Sequence, residues 1–142
     1  MRALLIMIFA TGALQLSGQS PIGVWKSIDD TDGKAKSHIE IFEQNGKLHG
    51  KVIKLLANAD ITHCHKCKDD RKGKSLVDMI IIKDMKSTDD AWDHGLILDP
   101  AKGKEYKCKI SLKDENTLNV RGYIGQPIFG RTQHWYRVTD SE

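Results

Sequence analysis

The stretch with the most chemistry in it is His63-Cys64-His65-Lys66-Cys67. Three kinds of site can be built from it. Cys64 and Cys67 have the spacing of a local disulfide, which an oxidising compartment would favour. So short a ring removes little chain entropy, so its stabilisation falls below the roughly 3 kcal/mol of a 15-residue loop. Alternatively, His63, Cys64, His65 and Cys67 carry the donor atoms of a tetrahedral zinc or copper site. Zinc patterns usually separate two ligand pairs, and neighbours in an extended loop point in different directions. His38, His49 or His94 would then have to complete the set. The third option is thiol–disulfide exchange, which asks for a helix N-terminus to lower a thiol pKa. No helical period follows Cys64. The disulfide is the leading reading and the metal set its alternative. Cys108, the odd cysteine, is expected as a small buried hydrophobe or as a thiol lining a cavity.

Other catalytic signatures are missing. There is no Gly-x-Ser-x-Gly elbow, no phosphate-cradling glycine loop and no spacing that marks a Ser, His and Asp triad. The acidic pairs Asp29-Asp30, Asp69-Asp70 and Asp89-Asp90 sit among turn residues and read as turn formers. Asp30-Thr31-Asp32-Gly33 is only a fragment of a calcium loop. The expectation is a protein that is not an enzyme, with no catalytic residues and no cofactor. The 22 Lys and Arg are scattered among 19 Asp and Glu, for a net charge of +3. Nucleic-acid binding wants a one-signed face, so a nucleic-acid partner is not expected.

These residues must be positioned by something, and the rest of the chain says what. Arg2 followed by Ala3-Leu4-Leu5-Ile6-Met7-Ile8-Phe9-Ala10 reads as the basic and apolar regions of a signal peptide. Residues 1–19 are assigned to it, with cleavage expected between about Leu16 and Ser20. The run is too short to span a bilayer, and no second one exists. Residues 20–142 are then a single exported domain, periplasmic or secreted.

That domain reads as short segments of period-two alternation broken by turns. Pro21-Ile22-Gly23-Val24-Trp25 opens it. Residues 37–44 alternate up to Asn45-Gly46, whose type I′ turn pairs Gln44 with Lys47, Ile41 with Gly50 and Ile39 with Val52. Gly50 leaves space in the interior or marks a bulge. A long loop carries the cysteines. Further strands are expected at 76–82, 92–98, 106–112, 118–124 and 131–138. Trp135 and Arg137 lie in the last, which a closed barrel must bring to the first. No internal repeat is present, and nothing in the pattern assigns an oligomeric state. The fold class is all-β: a small antiparallel up-and-down β-barrel of about eight strands.

Several segments carry a family likeness. They are Pro21 to Lys26, Gly46-Lys47-Leu48 with Gly50-Lys51-Val52, Cys64-His65-Lys66-Cys67, and Ile97-Leu98-Asp99-Pro100 with Gly103-Lys104-Glu105-Tyr106. To these add Leu118 with Val120-Arg121-Gly122-Tyr123-Ile124-Gly125, and Phe129-Gly130-Arg131-Thr132-Gln133 with Trp135 and Arg137-Val138. Over nearly the whole chain after the leader they resemble the bacterial exported family called domain of unknown function 2147. The resemblance implies a lipocalin-like, calycin-type barrel and no settled activity. Gly23-Val24-Trp25 is also similar to the lipocalin Gly-x-Trp signature, in which a basic residue of the last strand packs over the Trp. Arg131 and Arg137 are the candidates, and with Gly23 and Trp25 they form a barrel-closing motif. The expected partner is a small hydrophobic or amphipathic molecule lined by Ile39, Ile41, Val52, Tyr106, Cys108, Val120 and Tyr136. The alternatives are a metal-handling envelope protein and a filled barrel that binds other proteins.

Overall fold

A computed structural model describes residues 19–141. The signal peptide assigned to residues 1–19 therefore lies almost wholly outside the described residues. Eight strands follow one another: β1 (Gly23–Ile28), β2 (Ala35–Gln44), β3 (Lys47–Leu55), β4 (Ile80–Ser87), β5 (Trp92–Asp99), β6 (Lys104–Asp114), β7 (Thr117–Tyr123) and β8 (Gly130–Arg137). Each pairs antiparallel with the next, and β1 meets β8 to close an up-and-down barrel. No helix occurs among the described residues.

Local chemistry explains the register. Asn45 and Gly46 both take positive φ, 55° and 76°. The hairpin they make pairs Gln44 with Lys47, Ile41 with Gly50 and Ile39 with Val52. Inward and outward residues then alternate, so Ile39, Ile41, Leu48 and Val52 are buried. Gly50 is not a vacancy: a Cβ there would lie 3.0 Å from Cβ of Ile82 and 3.2 Å from Cδ1 of Ile41. The two isoleucines fill the place.

The fourth strand begins later than its apolar run suggests. Residues 76–79 belong to the preceding loop, because Asp78 takes φ 69° and turns the chain. Its N–H donates to the Val52 carbonyl, and the Val52 N–H donates to Met79. Leu76 and Met79 are nonetheless buried against the core. The strand also runs past residue 82 to Ser87, kinked at Asp84 (φ 60°) so that Met85 points inward and is fully buried.

Antiparallel alternation gives the barrel two unlike ends. The β2–β3, β4–β5 and β6–β7 turns lie at one, the base. The loops 29–34, 56–79, 100–103 and 124–129 gather at the other, the mouth. Trp25 closes the base with no exposed surface, its indole N–H donating to the Pro21 carbonyl at 2.8 Å. The Arg137 guanidinium stacks 4.3 Å from that ring. It donates to the carbonyls of Glu115, Ile22 and Ser20 at 2.9, 3.1 and 2.8 Å. Gly23 is required here twice: its φ is 139°, and a Cβ would sit 2.8 Å from the Arg137 guanidinium. Arg131, the other candidate for this role, is at the mouth end of β8 and bonds Asp30 instead.

Candidate ligand-binding site

The barrel is filled only as far as its middle. Trp25, Ile41, Ile82, Met85, Cys108, Ile110 and Leu118 pack the base half, all but fully buried. Above them a cavity of about 730 Å³ opens to the mouth. That is within the range of small-molecule pockets, about 300–1,000 Å³. Along several strands the inward residues near the mouth line the space and those further down belong to the packed half. Ile39 lines it and Ile41 does not; Tyr106 lines it and Cys108 does not. Val120 and Gly122 line it on β7, above Leu118.

Of the seven residues assigned to a ligand, the structure gathers Ile39, Val52, Tyr106 and Val120 around this cavity. Ile41 and Cys108 lie in the packed half beneath it. Tyr136 is displaced altogether: it alternates with buried Trp135, pairs with Lys26 on β1 and is 47% exposed on the outer surface. An inward Tyr136 would require the whole of β8 to slip by one residue. Tyr123, at the end of β7, is buried, with its hydroxyl donating to Asp93 at 2.9 Å. Burial and that bond push its pKa up. Burial, reinforced by the Asp93 charge, also drives the Cys108 thiol well above its ordinary range. It is an inert filler rather than a nucleophile.

One wall was not foreseen. Gln133, inward on β8 between Arg131 and Trp135, links them. Its amide nitrogen donates to Asp30 Oδ1 at 3.3 Å, and its Oε1 accepts the Trp135 indole N–H at 2.9 Å. Arg131 donates to Asp30 Oδ2 from Nε at 2.9 Å. Beside them on β1 and β2 the inward hydroxyls of Ser27 and Ser37 bond each other at 2.7 Å. The residue spacing on β8 holds a clue, since Arg131, Gln133, Trp135 and Arg137 share a face. Nothing local marks Asp30 as their partner, a hundred residues away.

Cys64 and Cys67 are joined as a disulfide, and both are buried. With the sulfurs bonded to each other, the donor set drawn from His63, Cys64, His65 and Cys67 has lost its thiolates. His63 and His65 are exposed, their rings stacked 5.9 Å apart. The bridge shapes the mouth. Cys64 exchanges backbone bonds with Gly73 and Lys74, drawing the loop into a compact unit. Its bridged segment presses on the β5–β6 turn, where a Cβ at Gly103 would collide with the Lys66 carbonyl. Arg71 ties the same loop to the barrel through Glu105 at 3.0 Å, and beside it holds the Asp69 carboxyl down at about 2. Across the mouth, Lys36 lies between Asp32 and Asp60 at 2.7 and 2.8 Å. Those carboxylates raise its pKa, and Lys36 lowers that of Asp32.

Comparison with known proteins agrees with this architecture. Residues 23–137 match the family model described as an uncharacterized protein conserved in bacteria (DUF2147). The chain belongs to that family. The barrel of this DUF2147 protein is similar to that of HP1028 from the human pathogen Helicobacter pylori, a protein described as belonging to the lipocalin family. The two superpose with a TM-score of 0.75 at 18% identity, over 86% of this chain and 85% of the other. At that identity the likeness is one of fold: a lipocalin-like barrel. A search of curated proteins found no match.

Proposed function

We propose that this DUF2147 protein is an exported binding module that takes up a small hydrophobic or amphipathic molecule in the mouth half of its barrel. The observation that carries the reading is the contrast inside one barrel: a packed base beneath an open, largely apolar cavity of about 730 Å³. An open cavity of this size, mostly apolar with a few polar groups, has the character of a small-molecule site. The lining residues Ile39, Val52, Ile81, Ile97, Tyr106 and Val120 offer apolar contact to a ligand body. The lipocalin-like fold, shared with HP1028, supports binding rather than catalysis by analogy of architecture.

Export rests on the apolar leader read from Ala3 to Ala10 and on the Cys64–Cys67 disulfide, which suits the periplasm or the medium. Among the described residues no helix is long and apolar enough to cross a membrane.

Native mass spectrometry of the protein purified from its own cell envelope tests the reading. The expected result is extra mass that is lost on denaturation, with one free thiol. In parallel, a neutral fluorescent naphthylamine should be taken up one per chain and quench Trp135. Bare protein that takes up no probe would sink it.

A further inference from the structure

The cavity has two chemically different walls, and together they specify more than apolarity. The side formed by β3 to β6 is hydrocarbon apart from the Tyr106 phenol: Val52, Leu55, Ile81, Ile97. The side formed by β8, β1 and β2 carries Gln133, Ser27 and Ser37, with Asp30 at its upper end. Most donors of that side are engaged. The Gln133 amide gives to Asp30, the Trp135 indole gives to Gln133, and Arg131 gives to Asp30. When Ser37 donates to Ser27, and Ser27 to the Ser37 carbonyl at 3.3 Å, both hydroxyl hydrogens are spent too. Acceptor lone pairs on that side then outnumber the donors left over, the second Gln133 N–H and the Arg131 N–H groups that do not reach Asp30.

The mouth repeats the bias. Asp29, Asp30, Asp60 and Asp99 line it, against Lys36, Lys102 and Arg131. Two of these three cations are committed: Arg131 to Asp30, and Lys36 to both Asp32 and Asp60. Asp29 and Asp99 receive only the N–H and hydroxyl of Thr31 and the N–H groups of Ala101 and Lys102. The chain is net positive, yet the entrance to its cavity is not. An entering carboxylate meets two carboxylates, Asp29 and Asp99, against one uncommitted cation, Lys102, whereas an entering N–H or O–H meets acceptors.

Building on the cavity-binding reading, we infer that the site selects amphiphiles whose head group donates hydrogen bonds and bears no negative charge, an amine or a polyol on an apolar body, and discriminates against carboxylates. Three probes with a common ten-carbon chain test this at pH 7: decylamine, monodecanoylglycerol and decanoate. Each is titrated, below its aggregation limit, against the full chain loaded with the neutral naphthylamine. The amine and the glyceride should displace the naphthylamine at concentrations at least about tenfold lower than decanoate. The amine leading marks charge as the main discriminator; the glyceride leading marks hydrogen-bond donation. Asp29→Asn combined with Asp99→Asn should shrink the amine-to-decanoate ratio to about threefold and leave the glyceride unmoved, which a loss of folding could not do. Decanoate binding as tightly as the amine and the glyceride overturns the inference while the naphthylamine still binds. Failure of the naphthylamine itself overturns the cavity reading instead.

Discussion

The two halves of this barrel share the same eight strands and do opposite things with them. At the base, the aromatic ring of Trp25, the sulfur of Met85 and a ring of aliphatic side chains leave no space, and Arg137 seals the end. At the mouth, the inward positions hold Ser27, Ser37, Gly122 and Gln133, too small or too polar to meet across the interior. Stability is concentrated in one half, which frees the other to stay hollow.

Mutation can break that contrast. Trp25→Ala should cost about 3–5 kcal/mol of unfolding free energy in denaturant melts, since it empties a fully buried aromatic site. A comparable loss from truncating Tyr106 would show the mouth half to be packed as well. Replacing Cys64 and Cys67 together by Ser should cost about 2 kcal/mol, the chain-entropy value for so small a ring. Its larger mark should be on naphthylamine affinity, because the bridged loop borders the cavity at the mouth.

A pH profile tests the packed half by itself. The Cys108 thiol is raised by burial, so the folded chain keeps its proton where the unfolded chain has lost it. Above an unfolded thiol pKa of about 8.5, the unfolded state binds fewer protons, and stability falls by about 1.4 kcal/mol per pH unit for this group. Below that pH the group contributes no slope. Cys108→Ala should remove this alkaline slope, measured as the difference between wild-type and variant unfolding curves from pH 7 to 10. Val52→Phe, last, should change stability by less than about 1 kcal/mol, because the added ring enters existing space. It should nevertheless abolish probe uptake. A large destabilisation would mean that the space is not there.

Strand order, the barrel and one whole hairpin were legible in the sequence because each rests on local chemistry. Asn45-Gly46 sets six residue pairs, from Gln44 with Lys47 to Ile39 with Val52, without reference to anything distant. Alternation also separates inward from outward, and on β8 it already placed Arg131, Trp135 and Arg137 together; Tyr136 fails the same rule. Depth was not legible. Nothing in Ile39 and Ile41, or in Tyr106 and Cys108, says which of two inward neighbours meets a cavity and which meets a core. That depends on how far the interior is filled by residues from other strands, Ile82 over Gly50 being the plainest case. The polar wall escaped for the same reason, since Asp30 looks like any turn aspartate until Arg131 and Gln133 arrive beside it.

The seam between β1 and β8 has a kinetic meaning. It holds two residue pairs, Trp25 with Arg137 and Lys26 with Tyr136, against eight between β2 and β3. Every other pairing joins sequence neighbours, whereas the bond from Arg137 to the Ile22 carbonyl spans 115 positions. Contacts of high sequence separation incur their loop-closure entropy before they yield any stabilisation. The meander can therefore curl as an open sheet, with ring closure as the late and most reversible event. Hydrogen exchange should find the Val138 amide, bonded to Val24 across the seam, opening well before the amides of the β2–β3 hairpin.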